Sequence, residues 1–370
     1  MKPTILFILH LPLPVHGAAM VGKYIHDSRV INESFDCHYI NLTTARDLSD
    51  IGKVGLRKIK QCATLLRRIR REIKRLRPCF VYVTPNACGG AFYKDFIVVK
   101  MLKRMGCRVV VHYHNKGVAT RQDRLFDDFL YRKFFKGLKV ILLAEALYQD
   151  IKKYVCRDDV YICPNGIPET LADKAAIERN NKIPHLLFLS NLLESKGVLV
   201  LLDACKILKD RGYSFVCDFV GSETAEIDAA RFIREVEKRG LNKQVIYQGK
   251  KYGSDKEPFW QYADIFVFPT FYCNECFPLV LLEAMQHGVA CISTAEGGIP
   301  DIIEDGKTGF VIEKQNPELL VGKIEQLINT PQLMTQFGLS ARKRFEERFT
   351  LNVFESRIKH IFDSLIVVNE

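Results

Sequence analysis

The sequence predicts an α/β fold built from two doubly wound domains. Its 370 residues are more than one hydrophobic core usually supports. Short, continuous apolar runs alternate with amphipathic stretches along the chain, and a polar, proline-bounded segment at 164–184 interrupts this alternation once. Because strands that alternate with helices form parallel sheets with right-handed crossovers, each half should be a sheet covered by helices.

The strands are expected at apolar runs without polar alternation, which is typical of strands buried on both faces. The runs lie at 4–9, 37–40, 80–84, 108–114, 139–144 and 160–164, and again at 185–190, 214–221, 244–249, 264–270, 289–294 and 309–313. The segment at 331–365 reads as helical. The predicted organisation is an N-terminal acceptor-binding domain at 1–165, a linker at 166–184, a C-terminal nucleotide-sugar-binding domain at 185–345, and a helix at 346–370 that packs back on the N-terminal domain.

Composition excludes several classes of protein. Apolar residues make up 48% of the chain and charged residues 26%, which is typical of a globular protein and not of a disordered or fibrous one. No apolar run is long enough to span a bilayer. The run at 4–9 is short and is followed by prolines and His10, so we interpret it as a buried strand of a cytoplasmic protein and not as a signal peptide.

The twelve cysteines are scattered, and most lie in apolar runs, which predicts buried thiols and not disulfides. Cys273 and Cys276 have the spacing of a zinc or redox pair, but a zinc site normally needs a second such pair. We therefore expect no metal site and no cofactor.

Positive charge is concentrated in the first half of the chain. Residues 1–170 contain 30 Lys/Arg and 15 Asp/Glu, a net charge of +15, whereas the remaining 200 residues have a net charge of −4. Residues 53–77 contain eleven basic residues and one acid, Glu72, with apolar residues at helical spacing. An anionic membrane surface is the favoured partner over nucleic acid, because the stretch has no aromatic residue on which a base could stack.

The most informative segment is 274–312. Glu275 lies in a loop after the run at 264–270, Pro278 suits the first turn of a helix, and Gly288 ends that helix. Glu283 is the only acid within it, and a buried carboxylate there would need hydrogen-bond donors such as sugar hydroxyls. Free N–H groups at the start of the helix favour an anion in front of it. A strand follows, and then the pair Gly297-Gly298, a turn at which the backbone is expected to approach a ligand closely.

This segment resembles the signature of the retaining GT-B glycosyltransferases of family four, also called group 1. Their motif is a Glu, seven residues, a second Glu, a strand and then GG-[IV]-P-E; this chain has Glu275, Glu283 and GGIPD, with Asp301 in the final place. The stretches TGFVI at 308–312 and ADIFVFPT at 263–270 also match. The resemblance implies two Rossmann-like domains that face each other across a cleft, with strand ends lining the cleft.

The resemblance also implies roles for particular residues. Glu283 is expected to hold the ribose hydroxyls, and Glu275 to lie near the donor sugar with the backbone N–H groups of Phe277 and Leu279. SNLLESKG at 190–197 resembles the family's phosphate-binding turn, in which Lys196 pairs with the diphosphate. Many members have an Arg where this chain has Asn191, and Lys250 and Lys251 are candidates to replace it.

Two segments of the N-terminal domain also match the family. PLPVHGAAM at 12–20, with Gly17 and Ala18, resembles the family's donor loop. VVVHYHNKG at 109–117 places His112 and His114 on one face at the end of a strand. His114 matches the family's histidine beside the donor sugar, and His112 is interpreted as a core or supporting residue.

The predicted activity is retaining transfer of a sugar, of hexosyltransferase type, from a nucleotide sugar to a saccharide acceptor. The acceptor is expected to be lipid-linked, in surface polysaccharide or glycolipid synthesis, with the enzyme peripherally associated with the inner membrane face. No Asp-x-Asp occurs in the chain, which favours charge neutralisation by Lys and helix N-termini over a divalent ion. The alternatives are an epimerase or phosphorylase on the same fold, and a non-enzymatic basic protein that binds membranes or nucleic acid.

Overall fold

A computed structural model describes residues 2–12, 17–42, 56–170, 179 and 181–367 of the chain, with the side chains of 56–59 excepted. The chain divides into two compact units. Unit 1 comprises Met1–Gly166 and Leu351–Glu370, and unit 2 comprises Ile167–Thr350. Most of the polar segment expected to act as a linker, residues 171–178 and 180, lies outside the described residues.

Unit 1 contains a six-stranded parallel sheet with the strand order β2-β1-β3-β4-β5-β6. Its strands are β1 (Thr4–Leu9), β2 (Asp36–Asn41), β3 (Phe80–Val83), β4 (Val109–His112), β5 (Lys139–Leu142) and β6 (Val160–Ile162). Its helices are α1 (Gly17–Asp27), α2 (Arg29–Ser34), α3 (Leu56–Leu76), α4 (Gly89–Arg104), α5 (Leu125–Phe135), α6 (Tyr148–Ile151) and, from the end of the chain, α14 (Leu351–Val367).

Helix α14 belongs to unit 1 because its apolar side packs on that sheet. The ring of Phe362 lies 5.8 Å from Phe7, 5.4 Å from Phe80 and 5.5 Å from Tyr82, measured between ring centroids. The C-terminal segment therefore covers the middle of a sheet formed by the first half of the chain.

Unit 2 contains a second six-stranded parallel sheet, with the order β12-β11-β10-β7-β8-β9. Its strands are β7 (His185–Leu189), β8 (Val216–Val220), β9 (Val245–Gly249), β10 (Ile265–Phe268), β11 (Ala290–Thr294) and β12 (Gly309–Ile312). Its helices are α7 (Val198–Asp210), α8 (Ala229–Lys238), α9 (Glu257–Tyr262), α10 (Leu279–Gln286), α11 (Ile299–Ile302), α12 (Pro317–Asn329) and α13 (Pro331–Arg348).

The fold-class prediction is confirmed: every apolar run named above contains a strand, and both sheets are parallel with helices at their crossovers. The central strands are buried along their whole length, as the absence of alternation in their sequences indicates.

Cys163, Cys205, Cys217 and Cys291 are buried small side chains, and burial raises the pKa of the Cys163 thiol to about 12. Among the described helices, none combines the length and the apolar character that a bilayer crossing requires.

Candidate functional site

Strands β7 and β10 are neighbours at the centre of the unit 2 sheet, and the chain leaves them in opposite directions. After β7 it continues to β8 on one side, and after β10 it continues to β11 on the other. The carboxyl ends of two such strands border a crevice, which is where open parallel sheets bind ligands. The two segments at this crevice are the turn at 190–197 and the loop at 269–278, which carry four of the predicted site residues, Asn191, Lys196, Glu275 and Phe277.

The turn after β7 packs directly on the loop after β10. Glu194–Lys196 form one 3₁₀ turn, and Gly197 ends it at φ +88°. A Cβ at Gly197 would lie 2.3 Å from the carbonyl oxygen of Pro269, so only glycine permits this approach. The N–H of Phe271 donates to the carbonyl oxygen of Ser195 at 2.8 Å, which joins the two segments.

Lys196 and Glu275 meet in this crevice. Lys196 Nζ lies 2.5 Å from Glu275 Oε2, and only 15% and 10% of the two side chains are exposed. The ammonium also lies 4.6 Å from the ring centroid of Tyr272 and 5.5 Å from that of Phe268. The two aromatic rings and the carboxylate together hold the ammonium in place at the ends of the strands.

The loop that carries Glu275 is fixed by backbone contacts. The N–H of Glu275 donates to the carbonyl oxygen of Tyr272 at 2.8 Å, and that of Gly298 donates to Cys276 at 2.7 Å. Gly297 has φ +55°, and a Cβ there would lie 2.3 Å from the carbonyl oxygen of Glu275. The paired glycines were expected to let the backbone approach a ligand. The close approach in the structure is instead to this loop.

Helix α10 begins at Leu279, directly after Pro278. Its first N–H groups have no partner within the helix, as at any helix N-terminus, and such groups favour an anion in front of them. Phe277 is buried just before it, with its ring centroid 5.9 Å from that of Phe349. The roles predicted for the backbone at Phe277 and Leu279 remain predictions.

Glu283 differs from the buried, unpartnered carboxylate that we expected. Its side chain is 23% exposed, and Lys256 Nζ lies 2.6 Å from Oε1 and 2.5 Å from Oε2. The next residue, Glu257, accepts from His287 at 2.9 Å, and His287 Nδ1 lies 2.8 Å from the carbonyl oxygen of Glu283. Lys256 and Glu257, at the start of α9, therefore bind Glu283 and His287 at the end of α10, and the first contact orients the Glu283 carboxylate.

Asn191 is exposed in the turn, and a cation reaches this turn from another element. The guanidinium of Arg231, in α8, donates to the carboxylate of Glu194 and, at 2.6 Å, to the carbonyl oxygen of Glu226. Lys250, proposed above as a replacement for the family's arginine, lies over the ring of Tyr252 at 4.6 Å. The contacts thus favour Arg231, which the sequence reasoning missed, over Lys250.

At the carboxyl edge of the unit 1 sheet, Gly17 begins α1 and is exposed. Residues 13–16 of the loop expected to contact the donor lie outside the described residues. Gly22, one turn further along α1, packs on the end of β1: a Cβ there would lie 1.9 Å from the carbonyl oxygen of His10. This contact places the N-terminus of α1, with Gly17 and Ala18, at the strand ends.

His112 and His114 lie together at the end of β4, with ring centroids 4.3 Å apart. His112 is fully buried and hydrogen-bonds through Nδ1 to the Tyr82 hydroxyl at 2.7 Å. Burial, with a contribution from His114, holds the pKa of His112 well below its usual value. These contacts are those of a core residue, whereas His114 lies past the strand at the sheet edge.

Polar residues that the sequence reasoning missed position the loop of His114. The carboxylate of Asp150 accepts the N–H groups of Gly117, Val118 and Ala119 at 2.9–3.1 Å. Asn115 accepts the N–H of Ala87 at 2.9 Å and so joins this loop to the end of β3. Turn-forming residues such as these were visible in the sequence, but their partners lie about thirty residues away.

Comparison with known proteins decides the family. Residues 169–344 match the family described as glycosyl transferases group 1. Unit 2 of the chain therefore carries the domain of this family. The predicted resemblance to the group 1 glycosyltransferases is thereby confirmed, and the matched residues include Lys196, Glu275 and Glu283.

The chain is also similar to individual glycosyltransferases. It is 26% identical over 277 residues to the O-antigen chain mannosyltransferase C of Escherichia coli, covering 71% of each chain. It is 29% identical over 185 residues to the capsular polysaccharide biosynthesis glycosyltransferase CapM of Staphylococcus aureus, covering 50% of this chain and 47% of that relative. The aligned part thus spans about half of CapM.

A solved structure has the same fold over both units. The Anabaena protein HepE, crystallised in complex with UDP, superposes with a TM-score of 0.76 at 15% sequence identity, covering 98% of this chain and all of HepE. Two parallel sheets with surrounding helices in both proteins confirm the GT-B fold class.

Proposed function

We propose that this group 1 glycosyltransferase moves a hexose from a nucleoside-diphosphate donor to a saccharide acceptor during synthesis of a surface polysaccharide or glycolipid. The observation that carries the proposal is the pairing of Lys196 with Glu275 at the ends of the neighbouring strands β7 and β10. Glu283 follows in helix α10. The family match and the relatives in O-antigen and capsular polysaccharide synthesis support it.

In the proposed reaction, the bond between the anomeric carbon and the diphosphate breaks, and its electron pair goes to the phosphate oxygen. The acceptor hydroxyl oxygen bonds to that carbon and gives its proton to the departing diphosphate oxygen, with retention of configuration. Lys196 stabilises the charge that grows on the diphosphate, together with the first N–H groups of α10. Donor binding draws the Lys196 ammonium from Glu275, which frees the Glu275 carboxylate for the sugar hydroxyls.

Glu283 is proposed to accept hydrogen bonds from the ribose hydroxyls. Lys256 contacts both of its oxygens and so fixes the position of the carboxylate. For His114 we propose the role that the resemblance implies, a contact with the donor sugar. The proposed reaction requires no metal, because Lys196 and the N-terminus of α10 supply the positive charge that the diphosphate leaving group needs.

The acceptor is proposed to be lipid-linked and the enzyme to bind the cytoplasmic face of a membrane. Helix α3 supports this: Leu65, Ile69 and Ile73 are buried, whereas Arg67, Arg70, Arg71 and Lys74 are exposed. An exposed cationic face of this density is attracted to anionic lipid.

A panel of nucleotide sugars, each incubated with a water-soluble saccharide acceptor, tests the proposed activity. Mass spectrometry should find one donor whose sugar is added to the acceptor, and NMR should show the donor's anomeric configuration in the product. Isomerised donor without transfer would identify an epimerase. Stabilisation of the protein by oligonucleotides, with no effect of nucleoside diphosphates, would point instead to a nucleic-acid-binding protein.

A further inference from the structure

Unit 1 exposes a cluster of large apolar side chains. At the start of α5, Leu125, Phe126 and Phe129 are 90%, 65% and 56% exposed, and Tyr93 and Ile97 on α4 are exposed beside them. The rings of Tyr93 and Phe126 lie 6.1 Å apart, so the two helices contribute to one surface. These five residues are called the apolar patch. Isolated exposed apolar residues are ordinary, but a contiguous patch of this kind marks an interaction site.

The apolar patch is separate from the core of unit 1. On α5 the opposite side, with Leu130, Tyr131, Phe134 and Phe135, is buried against the unit. The helix therefore has one apolar face that the fold uses and a second at its start that, in the described part of the chain, remains exposed. Only the first is needed to hold α5 in place.

Basic residues continue the same exposed faces toward the C-terminal ends of both helices. On α4, Tyr93 and Ile97 are followed by exposed Lys100 and Arg104. On α5, Phe129 is followed by exposed Arg132 and Lys133.

The Lys133 ammonium lies 5.6 Å from the ring centroid of Phe129. Side chains of this type lay their stems along apolar surface while the charge stays in water. An apolar zone next to a cationic zone is the pattern of surfaces that lie in the interface of an anionic bilayer.

The neighbouring helix extends the cationic zone. Helix α3 contacts α4, and α4 contacts α5, so the three lie side by side on one face of the sheet. The exposed arginines of α3 therefore flank the apolar patch, which gives this face the charge that a bilayer of anionic lipid would attract.

The position of the apolar patch relates it to the acceptor. Helices α4 and α5 begin after β3 and β4, and a crossover helix starts at the carboxyl end of the strand before it. The patch thus lies toward the same edge of the sheet as His114 and Gly17. A surface that touched a bilayer there would hold this edge close to headgroups.

We propose that the apolar patch inserts into the interfacial region of an anionic membrane, with Lys100, Arg104, Arg132 and Lys133 at the headgroups. This rests on the proposed action on a lipid-linked acceptor and adds to it a defined insertion surface. Charge attraction by α3 brings the protein to the membrane, and burial of Leu125, Phe126 and Phe129 among acyl chains then holds it in a manner that salt does not reverse.

Tryptophan fluorescence measures the insertion directly. The chain has one tryptophan, Trp260, which is buried in unit 2 and gives a constant background. Phe126→Trp places a second tryptophan in the apolar patch, and Leu339→Trp places one at an exposed apolar position of unit 2 as the matched control. With phosphatidylglycerol vesicles that carry brominated acyl chains, the first variant should show a blue shift and quenching, and the control should show neither.

A second comparison separates insertion from charge attraction. Replacing Leu125, Phe126 and Phe129 by Ser should lower the fraction bound to phosphatidylglycerol vesicles at high salt about tenfold or more. Replacing Ile233, Ile246 and Leu339 by Ser should not. Because all six side chains are exposed, both triple variants should keep the wild-type melting temperature and transfer to a soluble acceptor, which separates this inference from the proposed function.

Two results would overturn the proposal. In the first, the protein floats with the vesicles while the tryptophan at position 126 stays unquenched, so contact is made by charge alone. In the second, the blue shift occurs without lipid and grows with protein concentration, so the apolar patch covers a second copy of the chain.

Discussion

The ammonium of Lys196 and the carboxylate of Glu275 are 2.5 Å apart although 78 residues separate them in the chain. Their pairing follows from the order of the strands, because β7 and β10 are neighbours and each residue follows its strand by a short connection. In the proposed donor site, the ammonium that we propose for the diphosphate is thus paired with the carboxylate that we propose for the sugar.

Loss of the Lys196 ammonium should slow the reaction more than it weakens acceptor binding. Charge on the diphosphate grows as the transition state forms, so an interaction with it acts mainly on kcat. We expect Lys196→Ala to lower kcat by about 10²–10³-fold, the usual effect of removing one such group. Steady-state kinetics against acceptor concentration measures this. Lys206→Ala, which removes an exposed lysine of the adjoining α7, is the control and should leave the rate unchanged.

Arg231 should supply the positive charge that many family members obtain from an arginine at the position of Asn191. Arg231→Ala should raise the KM for the donor, because Glu194 in the phosphate turn loses its cation. Asn191→Arg should be tolerated in the wild-type background. In Arg231→Ala it should restore much of the donor affinity. An unchanged donor KM in Arg231→Ala would show that this guanidinium serves only the packing of α8.

Chelation of divalent ions should leave the reaction rate unchanged. We propose that Lys196 and the N-terminus of α10 supply the positive charge that the diphosphate needs. In the C-x-x-C pair, the Cys273 thiol is exposed and the Cys276 thiol is buried, so the two differ in their access to solvent. Initial rates with and without excess EDTA, after dialysis against it, provide the measurement. A loss of activity that magnesium or manganese reverses would contradict the metal-independent account.

Reversal of charge on α3 should release the enzyme from anionic vesicles. Each basic residue near such a surface contributes about 1 kcal/mol, and salt screens the effect. Arg67, Arg70, Arg71 and Lys74 are exposed, so their replacement by Glu leaves the buried side of the helix intact. Flotation at low and high salt should show the loss, while activity on a soluble acceptor persists. Binding that ignores both salt and the reversal would mean that α3 is an ordinary crossover helix.

The central strands were predictable because they are buried on both faces and therefore read as uninterrupted apolar runs. The meeting of Lys196 and Glu275 was predictable only through resemblance, since no local pattern shows that a turn after β7 meets a loop after β10. The partner of Glu283 was not predicted, because Lys256 lies 27 residues earlier in the chain, directly before α9. The carboxylate of Asp150 was missed for the same reason: its acceptor role depends on a loop thirty residues away.

The most direct test of the central claim is calorimetric binding of nucleoside diphosphates to the wild-type chain and to Glu283→Ala. If the crevice between β7 and β10 is the donor site, one nucleoside diphosphate binds the wild type at one site per chain. Glu283→Ala then loses about 1–3 kcal/mol of binding free energy, because the ribose hydroxyls are left without an acceptor. Binding of equal strength to both proteins would contradict the account.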